Sequence, residues 1–144
     1  EVRLKQVNHA AKKVLLFSYG NPDAFGDRRN NALTGNDGNN RLLGKNGDDV
    51  LNGRRGDDHL NGGKGVDLLT GGKGSDVFRP SRGLDRVLDF QVGIDRVHVD
   101  SIDDTLFRKI GDGLLVIDGP RRMLLEGIDL QIPGVSPVDL VDNI

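Results

Sequence analysis

Glycine recurs every nine residues through the middle of this chain, at Gly35, Gly44, Gly53, Gly62 and Gly71 and again at Gly38, Gly47, Gly56, Gly65 and Gly74. Two further columns keep the same phase: Asn40, Asp49, Asp58, Asp67 and Asp76 in the sixth place, and Leu42, Leu51, Leu60, Leu69 and Phe78 in the eighth. A fixed short period is the mark of a repeat architecture, and a flexible linker does not hold four columns in register. The unit reads G-x-x-G-x-D/N-x-L-x. It decays on both sides: Gly26 to Thr34 keeps Gly26, Asn31 and Leu33 but has Arg29 for the second Gly, and Pro80 to Leu88 keeps Gly83, Asp85 and Val87 without the leading Gly. Seven units span 26–88. Gly93-Ile94-Asp95-Arg96-Val97 echoes Gly83-Leu84-Asp85-Arg86-Val87 ten residues on, a slip of one.

A nine-residue unit with one apolar column is too short for a helix pair, which needs 30 or more residues. Composition agrees: of 22 acidic residues only Glu1 and Glu126 are Glu, and with 21 Gly the chain is rich in turn formers and poor in helix formers. The unit suits a six-residue turn followed by a three-residue strand of about 10 Å. Two units then make one flat coil. Leu42, Leu60 and Phe78 fall on one sheet, and Leu33, Leu51, Leu69 and Val87 on the other, each strand parallel to the one 18 residues on. The predicted class is all-β: a parallel β-roll with a single layer of Leu as its core. Cys is absent, which removes disulfides, zinc fingers and thiol chemistry as sources of stiffness or function.

The turns carry the chemistry. Gly in the first and fourth places permits positive φ and close approach of backbone carbonyls to a shared centre. Turns 18 residues apart stack, which sets Asp49 over Asp67, Asp58 over Asp76 and Asp67 over Asp85. Such carboxylates repel unless a hard cation lies between them. An all-oxygen, flexible cage of carboxylates and carbonyls suits calcium better than magnesium, which demands a strict octahedron. The principal candidate ligands are therefore Asp49, Asp58, Asp67, Asp76 and Asp85. Turn glycines Gly44, Gly47, Gly53, Gly56, Gly62, Gly65, Gly71 and Gly74 complete the shells, and Asp37 is a further candidate. Asn31 and Asn40 place a neutral ligand in the acid column, so upstream sites are expected to be weaker or vacant.

Residues 26–88 resemble the calcium-binding nonapeptide array of the RTX (repeats-in-toxin) proteins. The flank, with Asp76-Val77-Phe78, Gly83-Leu84-Asp85-Arg86-Val87-Leu88-Asp89-Phe90 and Gly93-Ile94-Asp95-Arg96-Val97, is similar to the segment after the roll in serralysin-type metalloproteases and in the R-modules of secreted mannuronan epimerases. The resemblance implies a secreted bacterial module, disordered where calcium is scarce and folded where it is millimolar. It also implies several bound Ca2+ ions and export by type I secretion machinery. The implied organisation is a lead-in or capping strand at 1–25, the roll at 26–88, a capping β region at 89–130, and a tail at 131–144 similar to the ends of type I secretion substrates. Within the flanks, Val14 to Tyr19, Val97 with Val99, Leu114 to Ile117 and Met123 to Leu125 read as short strands, with Asp118-Gly119-Pro120 as a turn.

The array departs from the family in charge. Residues 35–79 hold seven Asp but also seven bases, Arg41, Lys45, Arg54, Arg55, Lys64, Lys73 and Arg79. Third-place Arg28, Lys64 and Arg82 fall on one edge of the roll, Arg55 and Lys73 on the other, all directed to solvent. They serve solubility or, as the alternative, bind an anionic polysaccharide such as a polyuronide. The net charge of -2 offers no field for nucleic acid or a membrane surface, and no apolar run reaches the roughly 20 residues that span a bilayer. His9, His59 and His98 are scattered and no nucleophile motif occurs, so the chain is read as a non-catalytic module. It lacks an initiator Met and a signal peptide, and any catalytic domain is expected upstream of residue 1.

Overall fold

A computed structural model describes residues 2–3, 12–15, 20–128 and 136–142. The strands in chain order are β1 (Val2–Arg3), β2 (Lys12–Leu15), β3 (Asp23–Phe25), β4 (Asn31–Thr34), β5 (Arg41–Asn46), β6 (Val50–Arg55), β7 (His59–Lys64), β8 (Leu68–Lys73), β9 (Val77–Phe78), β10 (Ser81–Arg82), β11 (Asp85–Val87), β12 (Arg96–His98), β13 (Thr105–Ile110), β14 (Gly113–Asp118), β15 (Arg121–Leu125) and β16 (Val141–Asp142). One 3-10 turn, Pro137–Leu140, precedes the last. The chain is a parallel-stranded β-solenoid. One sheet runs β1-β3-β5-β7-β9-β12-β16, all parallel; the other runs β13-β14-β15-β11-β8-β6-β4-β2, antiparallel among β13, β14 and β15 and where the short β10 pairs with β15.

The 18-residue register follows from the repeat. Leu42 faces Leu60 and Leu60 faces Phe78 in one sheet; Leu33 faces Leu51, Leu51 faces Leu69 and Leu69 faces Val87 in the other. All seven are at most 1% exposed, so one apolar residue per unit builds the core between the sheets. The column extends past the recognisable repeats to Ala24 on one side and Val97 on the other. Val97 pairs with Phe78 at a separation of 19 because one residue is inserted before Asp95, which is the slip visible in the sequence.

Strand length departs from expectation. The repeats form six-residue strands, not three-residue ones, because the ladder continues beyond the apolar position into places one to three of the next unit. Identical corners stacked 18 residues apart keep their N–H and carbonyl groups in register, so hydrogen bonding does not stop where the chain bends. Glycine use also differs from expectation. Fourth-place Gly47, Gly56, Gly65 and Gly74 have positive φ, but the first-place glycines do not; the second positive-φ site is the second place, held by Gly63, Gly72, Lys45 (φ 89°) and Arg54 (φ 83°).

The C-terminal flank closes the stack. Val87 pairs with Leu125, and β15 carries the antiparallel β14 and β13. The expected strands at Val97, Leu114 to Ile117 and Met123 to Leu125 are present, with the turn at Asp118 to Arg121. β13 was not evident from the sequence, since only Phe107 of its apolar residues packs on the core while Leu106 and Ile110 face out. The tail does not simply run off: Leu140 is buried and Val141 pairs with Val97, adding a seventh strand. Of the predicted run Val14 to Tyr19, residues 14–15 lie in β2 and 16–19 are outside the described residues, as are 131–135 and 143–144 of the tail.

Leu60→Ala should lower the unfolding free energy of the folded protein by about 2–5 kcal/mol, since its fully buried side chain leaves a cavity in a core one residue thick. Leu106→Ala, at an exposed strand position, should change it by less than about 0.5 kcal/mol; denaturant midpoints of both variants check this.

Candidate metal centre

The sixth-place side chains form two columns, one along each edge of the roll: Asn31, Asp49, Asp67 and Asp85 on one, Asn40, Asp58, Asp76 and Asp95 on the other. All eight are buried. In each column the Oδ1 atom accepts the backbone N–H of the sixth-place residue 18 or 19 positions earlier. Asn31 N donates to Asp49 at 2.6 Å, Asp49 N to Asp67 at 2.7 Å and Asp67 N to Asp85 at 3.3 Å. On the other edge Asn40 N donates to Asp58 at 2.7 Å, Asp58 N to Asp76 at 2.9 Å and Asp76 N to Asp95 at 3.0 Å. The fifth-place residues run the reverse ladder: Asn30 and Asn39 accept from Asp48 N and Asp57 N, and Asp48 and Asp57 accept from Val66 N and Ser75 N. Each corner is thus tied to the coil before and the coil after through Asn or Asp oxygens.

One oxygen per carboxylate is left over in the middle of the columns. Oδ2 of Asp49, Asp58, Asp67 and Asp76 is buried with no hydrogen-bond donor. Each lies against the first-place glycine of its own unit: a Cβ added to Gly44 would fall 2.2 Å from Asp49 Oδ2 and 2.5 Å from the Gly62 carbonyl oxygen. One on Gly53 would fall 2.2 Å from Asp58 Oδ2 and 2.6 Å from Gly71 O. Added carbons at Gly62 and Gly71 would meet Asp67 and Asp76 Oδ2 at 2.0 and 2.2 Å. Glycine is required here for space, so that a carboxylate and a carbonyl oxygen approach the same point. Fourth-place glycines do the same for carbonyls, since a Cβ at Gly65 or Gly74 would fall 2.2 or 2.1 Å from Gly47 O or Gly56 O. Among the described residues no three His, Cys, Asp or Glu side chains cluster, so any cation shell here draws largely on backbone carbonyls.

Burial pushes the carboxyls of Asp49, Asp58 and Asp67 up to about 7 and that of Asp76 to about 6. The accepted backbone N–H groups oppose the rise, and neighbouring carboxylates such as Asp27 at Asp49, Asp76 at Asp58 and Asp85 at Asp67 add to it. Asp85 and Asp95 are raised as well, again chiefly by burial. A donor set of buried, unpaired carboxylate oxygens beside carbonyls fits a hard divalent cation and suits calcium.

The columns contain every sixth-place residue expected from the sequence, and two placements differ from the rest. Asp37 lies outside both columns, exposed, its carboxylate 3.6 Å from Arg55. Asp85 already has a donor on each oxygen, Asp67 N on Oδ1 and Ser81 N and Oγ on Oδ2. Asp95 was missed as a column member because the inserted residue breaks the phase; the Gly93-to-Val97 echo is the signal that finds it. The fifth-place ladder was missed too, although Asn30, Asn39, Asp48 and Asp57 mark it in the sequence. Arg28, Arg55, Lys64, Lys73 and Arg82 are all exposed as expected.

A family model described as the RTX calcium-binding nonapeptide repeat (4 copies) matches residues 25–60, 43–78 and 52–87. This segment is an RTX calcium-binding nonapeptide repeat array. The solution structure of the AlgE6R3 subunit of the Azotobacter vinelandii mannuronan C5-epimerase superposes with a TM-score of 0.58 at 24% identity, covering 95% of this chain and 86% of that one. The AlgE6R2 subunit of the same enzyme gives 0.61 at 24% identity, covering 81% and 89%. The RTX roll and its flank therefore share the fold of these subunits. No curated protein sequence matches the chain.

The raised carboxyls of the RTX array set a pH dependence. Because they exceed the ordinary 3.8, the metal-free folded state binds more protons than the unfolded chain between about pH 4 and 7, so its stability falls as pH rises through that window. In chelator, far-UV circular dichroism should show more β structure at about pH 5 than at about pH 7.5. With calcium the sign reverses: protons compete for the same oxygens, and a calcium titration at about pH 5.5 should show weaker binding than one at about pH 7.5.

Proposed function

We propose that this module folds when calcium binds, with Asp49, Asp58, Asp67 and Asp76 as the side-chain ligands and the glycine-rich turn carbonyls as the remaining donors. The observation that carries the reading is the set of four buried Oδ2 atoms without donors, each beside a first-place glycine. Calcium supplies the positive charge that makes ionised carboxylates tolerable in a desolvated corner. The chain's own residues do the rest: the Oδ1-to-amide ladder fixes each carboxylate, and the glycines clear the space. Ordering so many glycines costs conformational entropy, and the thin Leu column offsets little of it. Several sites of the roughly 0.1–1 mM class would each add RT ln(1 + [Ca]/Kd) to stability, which matters outside the cell where the ion is abundant. On this reading the module is a folding, secretion and stabilising domain of an extracellular bacterial protein, and the chain itself is non-catalytic.

A second reading is supported by a groove beside β5 and β7. It is lined by Lys45, Lys64, Arg79, Arg82 and Arg121 together with Asn61. Among the described residues Lys45, Lys64 and Arg82 form no ion pair, and Asn61 Oδ1 is buried without a donor. Cations for carboxylates beside an acceptor for a hydroxyl suit a hydroxylated acidic polymer such as a polyuronide, the class to which the mannuronan of the similar subunits' parent enzyme belongs.

Far-UV circular dichroism with chelator and with about 5–10 mM calcium at neutral pH should show a gain of β signal with calcium. An unchanged spectrum contradicts ion-driven folding. For the groove, alginate oligomers titrated at low salt should bind, and Lys64→Glu with Arg82→Glu should weaken binding at least about ten-fold, as expected for charge reversal at two contacts. No binding by the parent eliminates the second reading and leaves the first intact.

A further inference from the structure

The backbone of the second place in each turn separates the eight column members into two kinds. In four units the residue four before the carboxylate donates its N–H to that side chain. Asp27 N donates to Asn31 Oδ1 and Asn36 N to Asn40 Oδ1, both at 2.8 Å; Ser81 N donates to Asp85 Oδ2 at 3.1 Å and Gln91 N to Asp95 Oδ2 at 2.8 Å. None of these four donors has positive φ. In the other four units the corresponding residues are Lys45, Arg54, Gly63 and Gly72, and all have φ between 83° and 103°. Their carboxylates are Asp49, Asp58, Asp67 and Asp76, the four whose Oδ2 has no donor. The two sets do not overlap.

We infer that the conformation of this second-place residue selects between a turn that closes on its own side chain and a turn that takes a cation. Calcium binding by Oδ2 is thereby confined to the four central carboxylates. The inference rests on the calcium reading above and narrows it. When φ is negative the local amide donates to the column side chain. At the upstream end the column member is Asn and donates in return: Asn31 Nδ2 to Asp27 Oδ1, and Asn40 Nδ2 to Asn36 Oδ1 and Pro22 O. At the downstream end Ser81 Oγ adds a second donor to Asp85 Oδ2 at 2.6 Å, where Pro80 has replaced the leading glycine. Each column therefore ends in a self-closed turn on both sides, with two cation-taking turns between.

Two of the four central positions are not glycine. A side chain on a positive-φ backbone is strained, and such strain persists only where the surroundings enforce it. At Lys45 and Arg54 the enforcing group is the partner strand, through Lys45 opposite Gly63 and Arg54 opposite Gly72. The turns of Asp49 and Asp58 are thus held open against local preference, whereas those of Asp67 and Asp76 are open by glycine.

The test uses the full chain with calcium alone as probe, counting bound ions by native mass spectrometry and following folding by circular dichroism. Arg54→Gly keeps the open backbone without strain and should retain the parent's count while tightening the calcium midpoint about two- to five-fold. Arg54→Val strongly disfavours positive φ and should fold with fewer bound ions than the parent. An Arg54→Val protein that folds with the parent's count overturns the inference. Should that variant not fold, a crystal structure of the calcium-loaded parent decides. Calcium at Oδ2 of Asp49, Asp58, Asp67 and Asp76 and at neither Asp85 nor Asp95 Oδ2 supports the selection rule, and calcium at Oδ2 of Asp85 or Asp95 overturns it. A parent that binds no calcium overturns the underlying reading instead.

Discussion

The roll depends on carboxylates that are buried before they are neutralised. The stack works because the central corners repeat every 18 residues, and repeated corners set Asp49 and Asp58 directly against Asp67 and Asp76. Their Oδ2 atoms are buried in the corners without a hydrogen-bond donor. A charged group in that position must be protonated, paired with a base or bound to a cation. Among the described residues no ion pair joins Lys or Arg to Asp49, Asp58, Asp67 or Asp76, and burial is the leading cause of their raised carboxyls. The remaining choices are a proton and a metal ion, and at neutral pH outside a cell the ion is the abundant one.

This arrangement accounts for the charge balance of the array. Seven bases matched to seven acids suggest mutual neutralisation, yet among the described residues only Asp37 and Arg55 of these sets pair, at the surface. The sixth-place acids are inside the corners, and the bases occupy outward places of the strands and edges, where they set surface charge. They occur on both sheets: Arg41, Lys45 and Lys64 lie in β5 and β7 of the first, and Arg54, Arg55 and Lys73 in β6 and β8 of the second. A balanced count thus coexists with unbalanced corners.

Much of this was legible in the sequence because the period fixes several things at once. Nine residues per unit and two units per coil determine which Leu residues share a sheet, which strands pair and which Asp residues stack, and these hold without exception from Leu33 to Val87. What the period does not encode is how a side chain is satisfied. That Asp67 accepts from the Asp49 amide, or that Ser81 donates to Asp85 Oδ2, depends on hydrogen-bond direction within a corner. Positive φ at the second place was readable for Gly63 and Gly72 but hidden at Lys45 and Arg54, where partner strands override residue preference. β13 was hidden for the opposite reason: at the edge of the sheet it buries little, and its Arg108-Lys109 pair breaks the apolar alternation.

Amide hydrogen exchange at neutral pH tests the dependence of the fold on the buried carboxylates most directly. The N–H groups of Asn31, Asn40, Asp49, Asp58, Asp67 and Asp76 each donate to a column carboxylate and report on a single corner. With calcium they should exchange slowly; in chelator, those that bond to Asp49, Asp58, Asp67 and Asp76 should lose that protection. Equal protection of these amides with and without calcium would contradict the account.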